Sequence, residues 1–164
     1  MTSPEDSSRA AKSADESGAS SHFRALENLY AAAPVNSLFQ SQLEILEAGR
    51  ARITFITNEK YFHAAGATHG TLYFKMLDDA AFYAANSLVS DRFLLTTGFN
   101  LHFTKPLRTG KVIAEGRWIS GKRRVFIAEA HLTDEEGDEI GRGTGTFMRS
   151  HIALSGLDGY SQPG

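Results

Sequence analysis

The longest regular pattern of hydrophobic positions lies near the middle of the chain. Apolar side chains recur there at every fourth position, in the order Leu72, Met76, Ala80, Ala84 and Leu88. This period is typical of an amphipathic α-helix, which we predict over residues 72–88. Because several of these side chains are alanine, the helix can approach its neighbours closely, and we expect it to lie against a curved sheet.

After the helix the hydrophobic period changes to two, which indicates a β-strand. One face of this strand carries Leu95, Thr97, Phe99, Leu101 and Phe103, and the other carries Thr96, Gly98, Asn100, His102 and Thr104. Two more strands are predicted before the helix, at 38–48 and 51–57, and three after it, at 111–119, 124–133 and 139–150. The predicted fold class is therefore α+β, a long central helix with an antiparallel sheet of about six strands.

The two ends of the chain lack this patterning. Residues 1–21 are mostly serine, alanine and charged residues, which cannot offset their ordering entropy by burial, so we predict a disordered tail. A single domain is predicted over residues 22–152, beginning with a short amphipathic helix at 22–33. The glycine-rich residues 153–164 are predicted to be a flexible tail.

One long helix covers only one face of a six-stranded sheet. The other face or an edge stays exposed, so we expect the protein to form oligomers.

Composition narrows the possible functions. The 164 residues include no cysteine, which excludes disulfides, thiolate metal sites and a cysteine nucleophile, and suits the reducing cytoplasm in which we place the protein. The formal net charge is −2, so nothing in the overall charge indicates a nucleic acid or a membrane as partner. No apolar run approaches the length that spans a bilayer.

The start of the central helix is the first candidate for chemistry. Gly70 follows His69 there, and the first backbone N–H groups of a helix have no partner within the helix. Such a terminus can bind an oxyanion or polarise a carbonyl group. The alternative is an ordinary junction between a loop and a helix, which the local sequence alone favours.

Asp78 and Asp79 lie more than two turns further along, about 100° apart around the helix axis. Asp79 has Lys75 one turn away, and we expect it to be a surface acid. Asp78 has Phe74 and Phe82 one turn away on either side, so we expect a second protomer to cover this flank. A carboxylate in such a place has a raised pKa and suits a general base or a nucleophile. The alternative, a simple surface acid, stays open.

Histidines and basic residues offer weaker signals. His63, His69 and His102 are spread over a loop, a helix start and a strand without metal-ligand spacing, so no metal site is predicted. Cations cluster at two turns, with Lys105, Arg108 and Lys111 at one and Lys122, Arg123 and Arg124 at the other. They are either solvated hairpin ends or a site for the phosphates of coenzyme A.

At this point the residues resemble a known family. The run from His63 to Gly70, the run from Asp78 to Ser87 and the strand that ends at Pro106 resemble the phenylacetyl-CoA (PaaI-type) thioesterases of the hotdog superfamily. In that family a His-Gly pair opens the central helix and an aspartate follows nine residues after the histidine. The resemblance covers roughly residues 37–150.

This resemblance implies hydrolysis of an acyl-CoA thioester. Asp78 would be the nucleophile or the general base, the Gly70 N–H would polarise the carbonyl group, and Thr96 would assist the water. His63 stands where relatives have asparagine, and its imidazole could donate to the carbonyl group or orient water. Residues expected to bind substrate are His69, Thr71, Phe82, Asn86, Lys105, Arg123 and Arg124.

The resemblance also implies an assembly and a cofactor state. Protomers would join edge to edge into dimers, two dimers would form a homotetramer, and the active sites would lie between protomers. No cofactor is expected, since coenzyme A is part of the substrate. One alternative is a non-catalytic acyl-CoA-binding hotdog module, which the histidine at position 63 leaves open. Another is a hotdog dehydratase, whose local motif is not found.

Overall fold

Six antiparallel strands form one sheet in the computed structural model, which describes residues 4–161. The strand order across the sheet is β1-β2-β4-β5-β6-β3. The strands are β1 (Ser41–Glu47), β2 (Arg50–Thr57), β3 (Arg92–Phe103), β4 (Gly110–Ser120), β5 (Val125–Thr133) and β6 (Glu139–Ala153). The predicted α+β class and number of strands are confirmed, and β3 lies at an open edge of the sheet.

The predicted central helix is α2 (Gly70–Asn86), which packs on one face of the sheet. Its four inner alanines, Ala80, Ala81, Ala84 and Ala85, are completely buried. Opposite them lies Gly116 of β4, where a Cβ atom would stand only 2.0 Å from the carbonyl oxygen of Ala80. Helix and strand therefore meet backbone to backbone, which is the close approach that the alanine-rich pattern predicts.

Strand β3 carries a β-bulge that the alternating pattern did not reveal. Thr96 pairs with Phe147 and Gly98 pairs with Thr146, so Thr97 is an extra residue without a partner position on β6. A bulge of this kind shifts the alternation by one. As a result, Thr96 faces α2 together with Phe99, although the sequence prediction placed them on opposite faces.

The N-terminal helix is longer than predicted. Helix α1 (Pro4–Ala32) includes the predicted helix at 22–33, and its helical backbone extends into the segment for which a disordered tail was predicted. Four alanines, the residue type with the highest helix propensity, lie in this segment. The last two turns carry the packing contacts, because Leu26, Leu29 and Tyr30 are buried in the core.

The C-terminal segment packs against the domain as far as it is described, which differs from the flexible tail predicted at 153–164. Leu154 is completely buried, and Leu157 and Tyr160 pack against the core. The Tyr160 hydroxyl lies 2.7 Å from Nδ1 of His22, a buried residue of α1 whose Nε2 is 3.0 Å from the carbonyl oxygen of Asn86. Among residues 4–161, no helix is both long and apolar enough to cross a membrane.

Candidate active site

Asp78 lines a cavity of about 290 Å³ between α2, β3 and the end of α1. The walls are mainly aromatic and aliphatic, and a polar group of side chains lies at one side. The lining residues are Tyr30, Ala33, Val35, Asn36, Lys75, Asp78, Asp79, Phe82, Tyr83, Phe93, Leu94, Leu95 and Thr96. The cavity is therefore open enough for a small acyl group and apolar enough to perturb a carboxylate.

The carboxylate of Asp78 has one hydrogen-bond donor on the neighbouring strand. Thr96 Oγ1 donates to Asp78 Oδ1 over 3.0 Å, a contact that the bulge at Thr97 makes possible. Burial raises the pKa of Asp78 to about 6, while the bond from Thr96 opposes that rise. The negative charge of Asp79 raises this pKa further and the positive charge of Lys75 lowers it. Asp78 therefore changes its charge in mildly acidic solution and is ionised at neutral pH.

The aromatic flank beside Asp78 is closed mainly by the protomer itself. Phe82 is buried, and its ring centroid lies 5.0 Å from that of Phe93 and 5.8 Å from that of Phe147. The expectation that a second protomer covers both phenylalanines is therefore wrong for Phe82, because β3 and β6 already cover it. Phe74, by contrast, is 40% exposed and contacts Phe99 edge to face.

Asp79 is not the surface acid that its spacing suggested. Its side chain is only 20% exposed and accepts a 2.5 Å hydrogen bond from Lys75 Nζ. Burial raises the pKa of Asp79, and the lysine opposes that rise. The helical spacing identified the partner correctly, but the cover comes from α1 and the 3-10 helix Pro34–Leu38, which no local pattern reveals.

Gly70 opens α2 with a backbone N–H that points out of the helix. His69 caps this end, since its Nδ1 accepts from the Thr71 N–H at 3.1 Å and its carbonyl oxygen accepts from the Leu72 N–H at 3.0 Å. Gly70 receives neither cap, so its N–H is the one available to a ligand at this terminus. A Cβ at this position would lie 2.9 Å from the ring of Phe103, so glycine also leaves room for that ring.

The Gly70 end of the helix borders a second cavity, of about 350 Å³. His63, Tyr73, Phe103 and Lys105 contribute to its lining. Asp78 is eight positions after Gly70, which corresponds to about 12 Å along the helix. Within one chain, the Gly70 N–H and the Asp78 carboxylate therefore border different cavities, one at the start of α2 and the other near its middle.

Comparisons with known proteins agree with this architecture. The sequence model of the thioesterase superfamily matches residues 65–140. A candidate esterase of Saccharolobus solfataricus is 29% identical over 107 residues, which is 65% of this chain and 71% of that protein. The E. coli PaaI protein from the phenylacetic acid degradation operon superposes with a TM-score of 0.72 at 16% identity, covering 79% of this chain and 96% of that one. A thioesterase family protein from Silicibacter pomeroyi gives a TM-score of 0.72 at 23% identity, covering 78% and 97%.

The chain has the hotdog fold. The predicted hotdog domain is thereby confirmed at the level of fold, whereas the narrower PaaI-type assignment stays a prediction.

Within this hotdog fold, His63 and His69 lie beside the start of α2. His63 Nδ1 accepts from the Ala65 N–H at 3.1 Å, and His69 Nδ1 accepts from Thr71, so each neutral ring carries its proton on Nε2. Their ring centroids are 6.5 Å apart. His63 borders the Gly70 cavity and can donate a hydrogen bond there. The hydroxyl oxygen of the exposed Thr71 lies 2.9 Å from His69 Nδ1.

Asn86 was predicted to bind substrate, but its side chain instead stabilises the fold. Its side chain is completely buried, its Nδ2 donates to the carbonyl oxygens of Val89 and Arg92, and its Oδ1 accepts from the Leu94 N–H. The amide therefore holds the connection between α2 and β3 and has no polar atom left for a ligand. By fixing the start of β3, it helps to position Thr96.

The basic residues fall into two groups. The Lys105 ammonium binds three carboxylates, at 2.8 Å from Asp134, 2.8 Å from Asp138 and 3.3 Å from Glu136, and these bonds hold the pKa of Lys105 well above its usual range. It therefore balances an acidic turn more than it offers a charge to a phosphate. Arg123 and Arg124 are exposed in the β4–β5 turn and line neither cavity.

Some lining residues were not anticipated from the sequence. Tyr30, Val35 and Asn36 form the wall of the Asp78 cavity that comes from the N-terminal part of the chain. Tyr30 lies within the helix predicted at 22–33, and its position there gave no sign of a site. Its packing against α2, with its ring 5.5 Å from that of Tyr83, is a tertiary contact that spacing cannot reveal.

Replacing Thr96 with Val should raise the pKa of Asp78 above its value of about 6. Valine keeps the shape but removes the hydrogen bond that stabilises the ionised carboxylate. Titration of the aspartate carboxyl carbons by ¹³C NMR would measure this shift. Thr97→Val is the matched control, because Thr97 Oγ1 donates to the carbonyl oxygen of Thr146 and not to Asp78. An unchanged Asp78 titration in Thr96→Val would contradict the assigned contact.

Proposed function

We propose that this chain hydrolyses an acyl-CoA thioester to the free acid and coenzyme A. The observation that carries the proposal is the position of Asp78, a carboxylate with a pKa of about 6 in a small apolar cavity, bound by the hydroxyl of Thr96. A carboxylate of this kind is ionised at neutral pH and is more basic than an ordinary aspartate. It is suited to act as the general base for water or as the nucleophile.

The reaction needs only groups of this kind. Water that loses a proton to the carboxylate, or the carboxylate itself, attacks the thioester carbonyl carbon, and negative charge develops on the carbonyl oxygen. The C–S bond then breaks, and the thiolate of coenzyme A leaves and takes up a proton. If the carboxylate is the nucleophile, water hydrolyses the resulting anhydride to the free acid and restores Asp78. An N–H at a helix start is suited to stabilise that charge, because it combines a hydrogen bond with the positive end of the helix dipole. Gly70 provides such an N–H, and Nε2–H of His63 is a second candidate donor.

The separation of the two groups supports a site shared between protomers. Gly70 and Asp78 of one chain are about 12 Å apart along the helix, too far to act on one carbonyl group. An antiparallel arrangement of two α2 helices brings the Gly70 of one protomer to the Asp78 of the other. The open edge of β3 offers the means of pairing, since its outer backbone groups can continue the sheet into a second copy. We therefore propose a dimer as the smallest active unit.

The substrate class is proposed from the likeness to thioesterases and the shape of the site. A cavity of about 290 Å³ with aromatic walls accepts a small or aromatic acyl group. The likeness to PaaI, which is from the phenylacetic acid degradation operon of E. coli, makes phenylacetyl-CoA a natural member of the first substrate panel. The carrier of the acyl group is proposed to be coenzyme A, with Arg123 and Arg124 as candidate phosphate contacts.

A thiol-release assay over a panel of acyl-CoA esters tests this function. We expect turnover of at least one short or aryl-substituted acyl-CoA, with a rate that falls below pH of about 6 as Asp78 becomes protonated. The plateau should lie at neutral and alkaline pH. Binding of acyl-CoA without release of thiol would instead indicate a binding module, and failure of both would remove coenzyme A esters from consideration.

A further inference from the structure

A largely buried ion pair lies next to Asp78 in the same cavity. Lys75 and Asp79 are one helical turn apart, their side chains are 15% and 20% exposed, and Lys75 Nζ lies 2.5 Å from Asp79 Oδ2. The reaction proposed above uses neither residue. Removing two charges from water is unfavourable, so an enclosed pair is weak evidence for a purely stabilising role.

The ammonium group of Lys75 is held from several directions. It donates to Asn36 Oδ1 at 2.7 Å, and it lies 5.5 Å from the ring centroid of Tyr30 and 5.2 Å from that of Phe39. A cation over two aromatic faces and bound to two oxygen atoms has little freedom to turn towards solvent. Its charge is therefore fixed relative to the cavity.

We propose that the Lys75–Asp79 ion pair is a positioning pair that sets the protonation state of Asp78. Its catalytic consequence rests on the function proposed above. The charge of Asp79, the next residue along the helix, favours the protonated form of Asp78, and the charge of Lys75, one turn before Asp79, favours the ionised form. The two influences oppose each other, so the intact pair holds the titration of Asp78 between the positions that either charge alone would give it.

The other groups around Asp78 do not change this balance. The remaining titratable side chains lining the cavity are Tyr30 from α1 and Tyr83 from α2, and burial raises the pKa of both, so their phenols stay neutral. Strand β3 contributes only the hydroxyl of Thr96 among the polar side chains that line the cavity. Lys75 and Asp79 are therefore the two charges that can move the titration of Asp78 in opposite directions.

The experiment compares the pH dependence of kcat/KM in three variants with that of the wild-type protein. In Asp79→Asn the lysine is left without its partner, so the acidic limb should move to lower pH by about one unit. In Lys75→Met the extra negative charge should move the limb to higher pH by a similar amount. In the double variant both charges are absent, and the limb should return to within a few tenths of a unit of the wild-type position.

A second readout works without turnover. The Asp78 carboxyl carbon, identified by its loss in Asp78→Asn, is titrated by ¹³C NMR in the same variants and should move by the same amounts. If the wild-type protein hydrolyses no acyl-CoA, the proposed function fails, and the NMR titrations still decide whether the pair controls Asp78. If Lys75→Met does not fold, Lys75→Gln takes its place with the same expected direction.

Two controls separate positioning from a general structural effect. Arg117→Met breaks an ion pair with Glu129 on the opposite face of the sheet, and it should leave the Asp78 titration unchanged. The second control is the alkaline plateau, where a general structural effect would lower kcat without moving the acidic limb, whereas the positioning role moves the limb. Shifts in the same direction for both single variants, or no shift in either, would overturn the inference.

Discussion

A chain with Asn in place of Asp78 should hydrolyse its best acyl-CoA about 10³-fold more slowly than the wild-type protein. Asparagine has the same shape and its Oδ1 can still accept the hydrogen bond from Thr96, so the fold should be preserved. It can neither take a proton from water nor form an acyl intermediate. The thiol-release assay measures the loss, and thermal unfolding confirms that the variant is folded.

The control for this result is Asp158→Asn, which removes an exposed carboxylate that does not line the cavity. It should retain the full rate. If Asp78→Asn also keeps more than about a tenth of the activity, the carboxylate is not the reacting group and the proposed mechanism is wrong.

Variants at Gly70 test the second group of the proposed shared site, and mixing them with Asp78→Asn tests whether the site is shared. Gly70→Pro removes the N–H at the first helical position, where proline is tolerated, whereas Gly70→Ala adds the same Cβ and keeps the N–H. We expect Gly70→Pro to lose about 10²-fold in kcat and Gly70→Ala to lose far less.

When Asp78→Asn and Gly70→Pro protomers are mixed equally and exchange freely, half of the dimers are mixed and each contains one intact site. About a quarter of the wild-type activity should return. No recovery, with subunit exchange verified, would place both groups in one protomer.

Gly116→Ala should lower the free energy of unfolding by about 3 kcal/mol or more. The added methyl group would stand 2.0 Å from the carbonyl oxygen of Ala80 and 2.7 Å from the N–H of Ala81. Both atoms belong to the backbone of α2, so the clash is relieved only when the whole helix moves away from β4. Denaturation in urea measures the change. Gly98→Ala is the matched control, because a Cβ there meets no heavy atom within 4 Å, and its effect should stay below about 1 kcal/mol. Equal stability of the two variants would contradict the close packing of α2 on the sheet.

Much of the fold could be predicted from the sequence, because the helical period and the strand period are both local patterns of hydrophobic positions. The period of 3.6 identified α2 to within two residues at each end, and the period of two identified each of the six strands. Both depend on burial of one face of each element, which the sequence records directly. The hotdog arrangement came from the family resemblance, and the structural comparisons confirm the fold. The order of the strands in the sheet came from the structure.

The errors arose where a contact between distant parts of the chain decides the outcome. Asp79 has the spacing of a surface acid, but α1 and the 3-10 helix Pro34–Leu38 cover it. Asn86 follows the helix in a run that suggested a site, but its amide binds the backbone of the next turn and strand. Tyr160 lies in a glycine-rich end, but it reaches His22 of α1. None of these contacts leaves a periodic signal in the sequence.

The extra residue at Thr97 gives β3 two phases of alternation. Before the bulge the even-numbered positions face α2, as Leu94 and Thr96 do, and after it the odd-numbered positions do, as Phe99 and Phe103 show. A strand of constant alternation would offer the helix either the hydroxyl or the rings, never both. Residues of β3 before the bulge, which include the partner of Asp78, can thus be substituted independently of those after the bulge, which pack beside the start of α2. Aligning relatives without allowing for the bulge would exchange the inner and outer residues of one half.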